Sequence, residues 1–143
     1  MSDYLEGKLI DFLLRAQAYT APATTYMALM TTNENDAAGG TEVTGGSYAR
    51  VAITSSLANW AGTQSAGSTT ASSGTSGTTS NNATITFPAP TANWGVVTGM
   101  GLFDASTSGN LLFYSALTVS KTINNGDGAP SFAIAAFSLQ IDN

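Results

Sequence analysis

Apolar and polar positions follow two periods along this chain, and the change from one to the other divides it. From Asp3 to about Ala18 the spacing is helical: Leu5, Leu9, Phe12, Leu13 and Ala16 fall on one stripe, with Lys8, Asp11 and Arg15 opposite. Asp3 with Glu6 three residues on approximates a capping box, so the pattern predicts a helix over 3–18, with Gly7 weakening its first turn. Ile10 and Leu14 lie off the stripe. A helix apolar over more than its core-facing side suits both a sheet-capping helix and a subunit contact.

Beyond Pro22 the period shortens to two. Thr25 to Thr31 alternates Tyr26, Ala28 and Met30 against Met27 and Leu29, a strand buried on both faces. Ser47 to Thr54 sets Ala49, Val51 and Ile53 against Tyr48, Arg50 and Ala52. Strand signals return at Ala83 to Phe87, at Val96 to Phe103 and at Asn110 to Leu117. The last two are joined by Ser106 to Gly109 as a hairpin. Gly99 and Gly101 on one face of their strand predict a bulge or a close backbone approach. Ser131 to Ile141 reads as a closing alternating strand. Six or seven strands joined by Gly/Asn/Ser turns and preceded by one helix predict a mainly β fold, an antiparallel β-sandwich of jelly-roll-like character with one N-terminal α-helix. Residues 1–143 form a single domain in this reading.

Between Ala61 and Asn82 the pattern disappears. Only Gly, Ser, Thr, Ala, Asn and one Gln remain, too little apolar surface to offset ordering, and 61–82 is expected to be a low-complexity exposed loop. A displayed tip and a tolerated surface insertion both fit it.

Composition narrows the chemistry. The 143 residues contain no histidine and no cysteine, which removes Ser-His-Asp triads, Cys-His dyads and Cys/His zinc sites. Four basic residues, Lys8, Arg15, Arg50 and Lys121, against nine acids leave no footprint for a phosphate backbone, so no nucleic-acid partner is expected. No apolar run approaches the ~20 residues of a membrane span, and Asp3 stands where a signal peptide would be basic, so neither a membrane nor a targeting segment is expected. Only 9% of residues are charged while 43% are apolar, against about 25% charged in ordinary domains. Ser and Thr supply neutral surface at about a quarter of the chain, and the apolar surplus predicts subunit burial.

The acids are scattered, with Glu34, Asp36 and Glu42 in one region and Asp104 and Asp127 near turns. A glycosidase needs two converging carboxylates, whereas loop acids beside Asn and Gly serve as turn formers, so no catalytic residue is assigned and the chain is not expected to be an enzyme. Asn33 to Asp36 and Asn124 to Asp127 offer hard oxygen ligands for calcium but lack EF-hand spacing. Neither metal nor cofactor is expected. Asn82-Ala83-Thr84 fits a glycosylation sequon, with nothing else in the chain to indicate a secretory route. Arg50, inside a strand, is expected to pair with Glu42 or Asp104, or to cross a subunit interface. Trp60 and Trp94 flank the low-complexity segment and its return strand, as plugs at the end of the sandwich or as aromatic anchors for a partner.

Tyr19-Thr20-Ala21-Pro22-Ala23-Thr24, Gly39-Gly40-Thr41-Glu42-Val43, Gly45-Gly46, Tyr48-Ala49-Arg50, Ile85-Thr86-Phe87-Pro88, Trp94-Gly95, Gly101-Leu102-Phe103-Asp104 and Gly109-Asn110-Leu111-Leu112-Phe113, in that order, resemble a family of small tailed-phage virion proteins. Members are commonly labelled tail fibre proteins, and similar small β-proteins decorate and cement heads. The resemblance covers nearly the whole chain and implies a non-catalytic virion structural protein, assembled in the host cytoplasm.

With no repeat or coiled coil for a long fibre, and an estimated diameter of roughly 33 Å, the expected role is capsid decoration as a homotrimer or other homo-oligomer. The major capsid protein or other virion proteins would be its partners. A tail fibre, collar or tail-tip component for host attachment is the alternative, and a carbohydrate-binding β-sandwich meeting a host-surface glycan is a further one. Subunit or capsid contacts are expected at Leu5, Ile10, Leu14, Arg50, Tyr114, Phe132 and Ile134, and structural roles at Glu42, Trp60, Trp94 and Asp104.

Overall fold

Strand β1 (Thr24–Thr32) carries large apolar side chains on both faces, and the fold is built to cover both. In the computed structural model, which describes residues 1–63, 67–73 and 77–141, β1 lies inside an antiparallel sheet. On one side it pairs with β2 (Thr41–Glu42) and β3 (Val51–Thr54), on the other with β6 (Gly95–Phe103), which in turn pairs with β7 (Leu111–Ile123). Two further antiparallel pairs, β4 (Thr78–Ser80) with β9 (Ser138–Gln140) and β5 (Ile85–Thr86) with β8 (Ser131–Phe132), complete a mainly β architecture. The single helix among the described residues, α1 (Asp3–Leu14), packs against β7.

Met27 and Leu29 point to the larger core, where they meet Val43, Ile53, Ile85, Phe87, Trp94, Met100, Leu102 and Phe137. The alternate residues Ala28 and Met30 face the other way, onto Phe103 and Leu111 with Tyr114 at the margin. The small sheets thus form a second layer over the first face, as expected of a sandwich.

The hairpin of β6 and β7 forms as expected, and the two glycines of β6 explain its shape. The ladder pairs Val97 with Lys121 and then Gly99 with Ala116, so Leu117 to Ser120 of β7 stand opposite Thr98 alone. This bulge lets Val97 share the face of Met100 and Leu102 despite the odd spacing. A Cβ at Gly99 would lie 2.4 Å from Asn33 Oδ1 and 2.9 Å from the Ser115 carbonyl, which is the close approach that glycine permits here.

Several boundaries differ from expectation. The helix stops at Leu14 rather than Ala18, because Ala16 adopts a φ of 54° and the Arg15 and Gln17 amides both close on the Asp11 carbonyl. Ser47 to Thr54 is a strand only from Val51, since Gly45, Gly46 and Ser47 turn at positive φ. The closing segment is two short strands rather than one, broken where Ala135 takes a φ of 62° and donates to the Asn81 carbonyl. The low-complexity stretch is not loop throughout: Ala61, Gly62, Ser80 and Asn81 are buried and Thr78–Ser80 is β4. Its residues 64–66 and 74–76 lie outside the described residues.

Candidate interaction surfaces

Arg50, just ahead of β3, folds back on the β2 acid. Its Nε and Nη2 donate to Glu42 Oε1 and Oε2 at 2.9 and 2.7 Å, and Nη1 donates to the carbonyls of Ala105 and Ser108, both at 2.8 Å. The guanidinium lies 3.7 Å from the centroid of the Phe103 ring. With its side chain only 6% exposed, Arg50 is an internal clamp of the 105–108 loop, and its expected place at a subunit interface is corrected accordingly. Of the two acids offered as its partner, Glu42 takes it. Asp104 instead accepts from the amide and side-chain nitrogen of Asn110, closing the turn between β6 and β7.

The Tyr48 hydroxyl joins this knot. It donates to Glu42 Oε1 at 2.8 Å and accepts from the Leu29 amide at 2.9 Å. Burial, first, and the adjacent Glu42 push its ionisation well above the ordinary tyrosine range, against the lowering effects of the Leu29 amide and Arg50. An open cleft of about 480 Å³ lies over these residues, bounded also by Ser106 to Ser108. Arg50 spends four hydrogen bonds on the protein's own acceptors, so the cleft wall is a structural knot.

The aromatic residues do not form a flat row. Trp94 is buried, its Nε1 donating to the Gly46 carbonyl at 2.9 Å, and Tyr48 meets it edge-on at 87°. Trp60 is half-buried against Phe137. Both tryptophans plug the larger core, Trp94 as a member and Trp60 packed at its margin. The platform that a glycan-binding reading requires is not built from these three rings.

Asn33 to Asp36 and Asn124 to Asp127 act as turn formers. Asn35 Oδ1 accepts from the amides of Ala37 and Gly39, and Asp127 Oδ2 accepts from the Asn124 amide. Among the described residues there is no group of three or more acids placed to hold a metal ion, and no helix is long and apolar enough to cross a membrane.

The expected contact residues divide. Leu5, 6% exposed, is turned into the protein rather than toward a partner, and Phe132 is half-buried at the margin of the larger core. Tyr114 is half-buried and its hydroxyl donates to Asp36, which raises its ionisation. Ile10, Leu14 and Ile134 are exposed, and with them Phe12, Leu13, Leu57 and Val119.

One residue central to the geometry carries no local signal in the sequence. Asn81 is 1% exposed, and its Nδ2 donates to the carbonyls of Ala83 and Ala133, both at 2.8 Å, while Oδ1 accepts from the Phe137 amide at 2.9 Å. Together with the Trp60 to Asn81 bridge and the Ala61 amide on the Ser80 carbonyl, it closes the base of the low-complexity segment. Its partners Ala133 and Phe137 lie more than fifty positions along the chain, beyond any periodicity.

Comparison with known families places this geometry. Residues 1–140 match the family described as Podophage GP4 fiber I protein gp80. No curated protein matches the chain.

Proposed function

Because the chain belongs to the podophage GP4 fiber I protein gp80 family and is a bacteriophage virion structural protein, we propose that it is a non-catalytic subunit of the tail fibre apparatus, acting through protein contacts. The observation that carries this reading is the family match over residues 1–140, nearly the full chain. The geometry is in keeping with it: the Glu42, Tyr48 and Arg50 side chains are committed to each other, while the uncovered surface includes large apolar residues on α1. In this role the exposed stretch 69–73, above the base that Asn81 closes, is displayed to the surroundings.

Capsid decoration is the second reading, favoured by one observation, a small fold with no coiled coil among the described residues. Deleting the gene from the phage separates the two. A fibre subunit predicts particles whose heads keep their heat resistance but which adsorb poorly to host cells. Heat-sensitive heads with normal adsorption would overturn the fibre reading in favour of decoration.

A further inference from the structure

The turn that follows β7 carries chemistry of its own. Asn125 is the one asparagine of the chain that precedes a glycine. It stands at the first central position of a tight turn, in which the Asp127 amide donates to the Asn124 carbonyl at 3.2 Å, and Gly126 at the second position takes a φ of 83°. This is the type II arrangement, which calls for glycine at its second central residue. Asparagine before glycine is also the side chain best placed to attack itself, and asparagine is among the thermolabile residues of proteins. The main-chain nitrogen of the following residue attacks Cγ and closes a five-membered imide, and the side-chain nitrogen leaves as ammonia, taking the proton of the attacking amide. Water then opens the ring at either carbonyl, leaving aspartate or its β-linked isomer. A side chain on the following residue crowds the attack, and glycine has none.

The structure sets Asn125 apart from the other asparagines. Its side chain is exposed and makes no hydrogen bond among the described residues, whereas Asn59, Asn81, Asn82, Asn93 and Asn110 each commit a side-chain oxygen or nitrogen to the protein. The space around Gly126 is open, since an added Cβ would meet nothing within 4 Å. Ring closure and the entry of water therefore meet no wall. What is held is the main chain: the Gly126 amide, the attacking group, donates to the Pro90 carbonyl at 3.1 Å, and the Asn125 amide donates to Asn93 Oδ1 at 2.8 Å. Attack waits on a local opening in which the turn leaves the 90–93 loop. The neighbouring Asp127-Gly128 pair is the weaker candidate, because a carboxylate is the poorer electrophile and Oδ2 already accepts from the Asn124 amide at 2.7 Å.

We propose that Asn125 is a site of spontaneous deamidation in the folded protein, and that its turn's contacts with Asn93 and Pro90 set the rate. The product adds a negative charge to a chain whose net charge is already −5. In the β-linked isomer the main chain is longer by one methylene between residues 125 and 126, at the place where their two amides reach Asn93 and Pro90. Water is the one co-reactant.

The test incubates the full chain in warm, mildly alkaline buffer, once folded and once in urea. Cleavage after Lys121 then releases the peptide that begins at Thr122, and fragmentation locates the mass gain of an NH2-to-OH exchange. The gain is expected at Asn125 before any other asparagine in both samples, and faster in urea. Asn93→Ala removes one restraint and should speed the folded reaction about two- to tenfold, the opening factor of one neutral hydrogen bond. Gly126→Ala, measured in urea where folding plays no part, should slow it. Asn93 is exposed, so its variant should keep the circular dichroism spectrum of the unaltered chain; should it unfold, the rates of the unaltered chain in the two samples decide, and equal rates overturn the role given to the contacts. A folded chain still unmodified at Asn125 when the urea sample has reacted overturns the proposal. So does first reaction at another asparagine, or a rate that a folded Asn93→Ala leaves unchanged.

Discussion

Asn81 shows how much of this fold depends on single polar groups. It joins the base of the low-complexity segment to the turn between β8 and β9 with no unpaired side-chain atom. Asn81→Asp keeps its size but removes both donors and sets a carboxylate against two carbonyls. Urea unfolding should show a loss of about 3 kcal/mol, the scale of breaking a buried hydrogen-bonded group. Tyr48 gives a pH signature. Its folded-state ionisation lies above the unfolded value near 10, so the folded chain holds this proton more tightly. The resulting stability is complete below about pH 10 and declines as the pH rises beyond it, by at most ~1.4 kcal/mol per pH unit. Tyr48→Phe should cost about 1–2 kcal/mol at neutral pH, through the lost bonds to Glu42 and the Leu29 amide. It should also flatten the alkaline decline measured by chemical unfolding.

Among the elements, β6 is where sequence and structure correspond most closely. Gly99 and Gly101 on one face predict a bulge or close approach, and the chain has both, the bulge opposite Thr98 and the contact of Gly99 with Asn33 and Ser115. Gly99→Ala should therefore lower stability by about 2 kcal/mol, since the Ser115 carbonyl cannot move without disturbing the ladder; the thermal midpoint reads this directly. The strands β1 and β6 and the first half of β7 were legible because alternating runs carry a period, while residues 118–123, which extend β7 beyond the expected end at Leu117, were not. The two strands β8 and β9 were not, because Ala133, Ala135 and Phe137 alternate as a strand would while the backbone turns at Ala135 to meet Asn81, a long-range contact. That Arg50 would pair with an acid was legible from the scarcity of charges, with Glu42 and Asp104 both open until the fold brought Glu42 to it. The inward direction of Leu5 and Phe132 was not, because an apolar residue reads the same whether it faces a core or a partner.

At the scale of the whole molecule, the low charge content acquires a structural meaning. Of the four basic residues, Arg50 is internal and Arg15 pairs within its own helix, and the uncovered second half of α1 is apolar except for Asp11. A chain with this surface is suited to burial in an assembly. The family match makes that assembly the virion, and the proposed fibre role predicts a position at the tail. Cryo-electron microscopy of phage particles carrying a small tag in the exposed stretch 69–73 tests this most directly. The account predicts density or gold label at the tail, at few copies per particle. Label distributed over the head would contradict it.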